Sequence, residues 1–365
     1  MRPLSTCDGR AYHSLAVSLT QGQGFTITDP SLEELCNGQI PVGPSHHYAP
    51  ALPLIESAFI FVLGDTPAAL VIPLLLLSWG AVVAVWFAAR DLYGSDAGLL
   101  SAAAVSVEWT GAWFGTWLGY SENLVLITLI LTIWAVLKGL RDDRYVILAG
   151  IFAGLGYLSK ASLGWFFLIA GFCGVAYRLL FRGRSVLRNP WYWAAIGCFA
   201  IPVLAWSSRN IALFWDGTIL GLADAWQTSA VQAGLISNAL AHPGALVYAL
   251  LVKGLVLAAF LLLPFAPLVR SFVPAVRAWR EEDAFGLWMT ALLIFVLGAF
   301  FAATFWVTDQ TNLLWADAVR YVAPAQVPLL WLLVRRGRAS TLAWSMSFLI
   351  LITMLLVPPS LIFRD

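Results

Sequence analysis

Apolar runs long enough to cross a bilayer recur ten times along the chain. They lie near 68–90, 97–117, 122–140, 145–160, 163–181, 192–208, 246–269, 285–306, 319–335 and 340–360. A hydrocarbon core of ~30 Å takes about 20 helical residues, so most of these runs are of spanning length, with 145–160 and 319–335 short. Inside lipid every backbone N–H and C=O needs a partner within the protein, which leaves helices or a closed barrel. The runs do not alternate polar and apolar residues, so they read as helices. Composition agrees. The chain is 60% hydrophobic and 11% charged, where water-soluble domains carry roughly a quarter charged residues. The expected fold class is all-α: a polytopic transmembrane bundle of about ten spans, forming one membrane domain over 1–365.

Lys and Arg give the orientation, because loops rich in them stay in the cytoplasm. One set of alternate loops carries Arg90, Lys138, Arg141, Arg144, Arg178, Arg182, Arg184, Arg188, Arg270, Arg277, Arg280, Arg335, Arg336 and Arg338, fourteen of the 21 basic residues. The opposite loops hold Arg2, Arg10, Lys160, Arg209, Arg320 and Arg364, and Lys253 falls inside a span. Segment 1–65 and loop 209–245 are therefore expected outside. A polar start of that length needs a signal or a helix ahead of it to cross. The economical expectation is that a first transmembrane helix has been lost from this sequence; translocation of a free N-terminus is the alternative. A net charge of +1 argues against a nucleic-acid partner, which would want a basic patch. Cys7 and Cys36 share the outer segment, where oxidation is permitted, and pairing of the two stays open.

Polar chemistry gathers on the outer side. Residues 8–25 place Leu15, Ala16 and Leu19 at helical spacing, and Gly22 and Gly24 end that helix. Asp8 stands at its head, where a carboxylate caps free amides and meets the positive end of the dipole. A second unit, His46-His47-Tyr48-Ala49-Pro50-Ala51-Leu52-Pro53, leads into a short apolar helix over Leu54–Leu63 that suits the interface rather than a span. Adjacent histidines point apart on a helix and are more often surface or hydrogen-bonded groups than a metal pair. Glu122 opens one span, Lys160 ends another, and Arg209-Asn210 ends a third, all at the outer surface. Snorkelling to head groups is the plain reading of Lys160 and Arg209. Their clustering on one face also suits a lipid-borne phosphate. Glu108 and Lys253 lie within spans, where charges are usually paired or line a cavity.

In this order the motifs resemble the GT-C superfamily of integral-membrane glycosyltransferases, especially the lipopolysaccharide-sugar, aminoarabinose and protein O-mannosyl transferase group. Asp8, Tyr12, His13 and the Gly22-Gln23-Gly24-Phe25 end match its first external loop, and Tyr48, Pro50 and Pro53 match a Tyr-x-Pro-x-x-Pro segment. Ser121-Glu122, the run ending at Lys160, Trp206-x-x-Arg209-Asn210 and Arg320-Tyr321-x-x-Pro324 follow in the family's order. Against that pattern the family's first transmembrane helix is expected to have been lost from this sequence, and Gly9 stands where many relatives have a second acidic residue.

The resemblance implies transfer of a sugar from a polyprenyl-phosphate carrier to a hydroxyl of a lipid, glycan or protein. The chain would sit among membrane lipids of a bacterial inner membrane, with its site on the periplasmic or external face. Asp8 would be the base, with Lys160, Arg209 and Arg320 on the donor phosphate. Tyr12, His13, His47, Tyr48, Glu122 and Asn210 would line the substrate pocket. No cofactor is called for, and a divalent metal is left open and unsupported. The competing readings are a transporter or lipid flippase, for which no internal repeat is visible, and a non-catalytic subunit of envelope polysaccharide assembly.

Overall fold

The N-terminal segment begins with α1, Cys7–Thr20, which turns Ala11, Tyr12, Leu15 and Ala16 inward. Its end is set by Gly22 at φ 75°, a left-handed residue that lets Gly22 N–H reach Leu19 O and Gln23 N–H reach Ser18 O. Two short antiparallel strands follow, β1 (Thr26–Ile27) and β2 (Gly43–Pro44), with α2 (Ser31–Leu35) between them in sequence. The Asp29 carboxylate accepts from the Ser31 amide and hydroxyl at 2.9 and 2.7 Å and so fixes the start of α2. A Cys7–Cys36 disulfide closes the unit by tying the head of α1 to the end of α2. The pairing that the sequence left open is made.

The computed structural model describes residues 7–36, 42–46, 48–107, 119, 121–160, 188–218, 243–244, 327 and 331. Beyond the outer segment these form α3 (Ala51–Leu63), α4 (Pro67–Tyr93), α5 (Ser95–Val107), α6 (Glu122–Gly139), α7 (Val146–Ser159) and α8 (Pro190–Phe214). Helices α3, α4, α6 and α7 coincide within a few residues with an apolar stretch of the sequence, α8 runs six residues past the end of its own, and of 97–117 only 97–107 is described. The runs at 163–181, 246–269, 285–306 and 340–360 lie outside the described residues, as does 319–335 apart from two positions. Among the described residues α4, α6 and α8 are long and apolar enough to cross a membrane. The 14 residues of α7 reach about 21 Å, short of a full crossing.

Contacts divide the chain into two units, Met1–Ala84 with Gly111–Ala241, and Val85–Thr110 with His242–Asp365. In the second, Gly98 of α5 sits where a Cβ would fall 2.8 Å from Arg90 Cβ, so α4 and α5 turn tightly at Gly94. Arg90 lies over the Trp86 ring at 4.9 Å.

In the first unit α3 lies on α1, and its 13 residues give about 20 Å, which suits an interfacial helix. Leu52, Glu56 and Ile60 face inward, while Leu54, Phe61 and Val62 are exposed. Helix α7 packs against both α6 and α8. Its Gly150 and Gly154, one turn apart, let the α8 backbone close in. A Cβ on Gly154 would meet Pro202 Cγ at 2.7 Å and Cys198 O at 3.1 Å, and one on Gly150 would run into the Ala195 backbone. At the far end Asn189 caps α8 through the Trp191 amide. Its Nδ2 and the Tyr192 hydroxyl donate to Asp143.

Two outcomes follow. Closing a loop of 29 residues contributes about 3–4 kcal/mol in the chain-entropy account. Cys36→Ser should therefore lower the melting temperature in detergent, and reductant should lower the wild type to match while leaving the variant unchanged. Gly154→Val should cost about 1–3 kcal/mol through overpacking of α7 on α8, with Gly197→Val, which meets nothing within 4 Å, as the mild control in the same assay.

Candidate functional site

Asp8 lies in the first turn of α1, where four backbone amides await partners. One of its oxygens, Oδ1, accepts from the Tyr48 hydroxyl at 3.0 Å. Tyr12, one turn further along α1, meets Tyr48 edge-on with ring centroids 4.9 Å apart. The Tyr12 hydroxyl then donates to Ser121 Oγ at 3.4 Å. Ser121 is the N-cap of α6, and the next residue, Glu122, forms an ion pair with Lys160 at 2.8 Å. The two side chains are 10% and 19% exposed, so the pair is largely withdrawn from water. Lys160 can reach because it leaves α7 in an extended conformation, φ −158° and ψ 108°.

Helices α7 and α8 are tied one turn below by a hydrogen bond between Tyr157 Oη and Ser207 Oγ at 3.2 Å. Further along α8, Arg209 turns toward the N-terminal segment. Its Nη1 donates to Ser45 O at 2.6 Å and to Asn210 Oδ1 at 2.8 Å, and its Nη2 donates to Phe25 O at 3.2 Å. Three rings surround the guanidinium: Trp206 at 4.8 Å, Phe25 at 5.4 Å and Phe214 at 5.7 Å. Arg209 thus grips both strands at one end of the small sheet, where Phe25 leads into β1 and Ser45 follows β2. Sequence reasoning missed this partnership, because carbonyls carry no residue identity.

The remaining expected residues divide. Asn210 is fully buried and spends its oxygen on Arg209, while its Nδ2 has no hydrogen-bond partner among the described residues. His13 pairs through Nε2 with Asp65 at 3.2 Å, joining α1 to the turn after α3. Burial lowers its pKa, with Asp65 and Asp29 pulling the other way. His46 leans on Phe214 with centroids 4.3 Å apart. His47, Arg320, Glu108 and Lys253 lie outside the described residues. No three His, Cys, Asp or Glu side chains gather to hold a metal among the described residues.

Residues 47–207 match the family model described as dolichyl-phosphate-mannose-protein mannosyltransferase. Among solved structures the chain is similar to ArnT from Cupriavidus metallidurans bound to undecaprenyl phosphate, with a TM-score of 0.59 and 15% identity. It is also similar to the same protein in its apo state, with a TM-score of 0.53 and 15% identity. Both likenesses cover 92% of this chain and 56% of the other, so the chain spans little more than half the length of the structures it matches. No curated protein matches in sequence. Sequence over residues 47–207 and fold over most of the chain converge on one group: the chain resembles the GT-C integral-membrane glycosyltransferases.

Proposed function

We propose that this chain transfers a sugar from a polyprenyl-phosphate carrier to the hydroxyl of a lipid, glycan or protein acceptor, on the periplasmic face of a bacterial inner membrane. The observation that carries the reading is one run of contacts. Tyr48–Asp8, Tyr12–Ser121 and Glu122–Lys160 bring a carboxylate and an ammonium to the same outer rim from separate elements. The likeness to a mannosyltransferase family supports sugar transfer, and the undecaprenyl phosphate bound to one matched structure supports a carrier of the same class.

The acceptor oxygen attacks the anomeric carbon while the bond from that carbon to the phosphate oxygen breaks, which inverts the centre. The hydroxyl proton passes to Asp8, whose carboxylate Tyr48 orients. Negative charge grows on the departing lipid phosphate, and Lys160 meets it, with Arg209 beside it and Arg320 as a third cation. Glu122 keeps the ammonium in place before the carrier arrives, so little reorganisation remains at the moment of transfer. Arg209 contributes the donors that the two carbonyls and Asn210 do not occupy.

Purified in detergent with a lipid-linked sugar and no membrane gradient, the protein should consume the donor; a transporter or scaffold would leave it intact. Asp8→Asn should abolish transfer while donor binding and melting temperature stay near wild type. Near wild-type turnover in that variant would leave Asp8 as a helix-terminal carboxylate only. Lys160→Ala should weaken donor binding and cost about 1–3 kcal/mol of stability, since a charged hydrogen bond is lost. Adding Glu122→Gln should restore stability and leave donor binding weak. Recovery of both would return Lys160 to a purely structural partner.

A further inference from the structure

Glu56 is 0% exposed, and neither oxygen of its carboxyl has a hydrogen-bond partner among the described residues. It stands on the inward stripe of α3, one turn from Leu52 at 0% and one turn from Ile60 at 5% exposure. Leu52 belongs to the cluster that holds Tyr12, Leu15 and Tyr48, and Ile60 to the cluster that holds Ala16. The carboxyl therefore lies in the apolar seam between α3 and α1. An isolated carboxylate in such a seam forfeits its hydration with nothing in return, whereas a neutral carboxylic acid forfeits far less.

We propose that Glu56 is a proton-linked latch: α3 docks on α1 with this carboxyl protonated, and loss of the proton loosens α3 and with it the Tyr48–Asp8 hydrogen bond. Tyr48 stands just ahead of α3 and packs in the same cluster as Leu52, so its hydroxyl reaches Asp8 only while α3 is seated. Glu56 is thereby a positioning residue that acts through Tyr48. The catalytic consequence rests on the reading of Asp8 as the base; the docking does not.

The charges around the seam are engaged elsewhere. On α1, Asp8 is held by Tyr48, His13 by Asp65, and Arg10 has an interaction of its own. Helix α7 also touches α3; Tyr157 on it is bonded to Ser207, and Lys160 beyond it to Glu122. Burial alone pushes the Glu56 carboxyl up to about 8 from an ordinary 4.5. The docked state thus holds a proton that the undocked state releases. Docking is strongest below about 4.5, weakens as pH rises, and levels off above about 8. Across that window each pH unit should raise the undocked fraction about tenfold.

The test places a cysteine at Ile60, in a background with Cys173 and Cys198 changed to alanine, with and without Glu56→Gln. Labelling by a maleimide is followed from pH 5 to 8 in detergent, and the ratio of the two rates cancels the thiol's own pH dependence. The ratio of the Glu56 protein to the Gln protein should climb about tenfold per pH unit; a ratio that does not change with pH overturns the latch. Melting temperatures provide a readout without the added cysteine. The gap between Glu56→Gln and wild type should widen from pH 5 to 8, and a constant gap overturns the proposal equally. Neither readout needs sugar transfer, so failure here and failure of the transferase reading are separate results. If both hold, transfer by the wild type should fall from pH 5 to 8 more steeply than transfer by Glu56→Gln.

Discussion

One guanidinium holds the N-terminal segment against the long apolar helices. Arg209 comes from the C-terminal end of α8, and its hydrogen bonds to Phe25 O and Ser45 O close on one end of the small sheet, taking a carbonyl from each strand's flank. Those carbonyls lie where the sheet stops, and Phe25 O also accepts from the Ser45 amide at 3.0 Å. A planar fork with several fixed donors fits two converging carbonyls, where a single ammonium would have to choose. The small sheet is anchored by this hold, beside the packing of α1 on α3 and the Tyr12–Ser121 bond. The sheet carries α2, the disulfide passes its position to Cys7, and Asp8 is the next residue. The site is therefore placed by a chain of attachments that begins on a helix far away in sequence.

A second constraint works from below. Gly150 and Gly154 let α7 and α8 approach until backbone meets side chain, which compensates for an environment in which lipid gives apolar helices little reason to associate. Because α7 stops at Ser159, two residues past the Tyr157 that bonds Ser207, Lys160 is free of the helix and bends toward Glu122. A longer α7 would carry the ammonium past its partner. Helix length and charge placement are thus one constraint seen twice.

The helical segments were legible because apolar length is a bulk property that survives any detail of packing. The end of α1 was legible too, since Gly22 marks a left-handed turn that few other residues adopt. Asp8, Tyr48, Glu122 and Lys160 could be named as outer polar groups, but not their pairing, because 40 residues separate the first two and 38 the second two. Arg209 was read for its charge, and its backbone partners left no trace in residue identity. The one-turn repeat of Gly150 and Gly154 was present as a pattern, yet only the approach of α8 gives it meaning. Glu56 was the hardest to see: a carboxylate in a short amphipathic helix ordinarily faces water, and only the position of α1 shows that this one does not.

The disulfide bears on timing. Cys7 and Cys36 join only where thiols can be oxidised, and the residue beside Cys7 is the carboxylate at the heart of the outer cluster. While both sulfurs stay reduced, α1 lacks its covalent tether to α2, and the Tyr48 hydrogen bond and the packing of α3 are what remain to hold Asp8. A covalent bond formed only under oxidising conditions thus stands one residue from the carboxylate of the cluster.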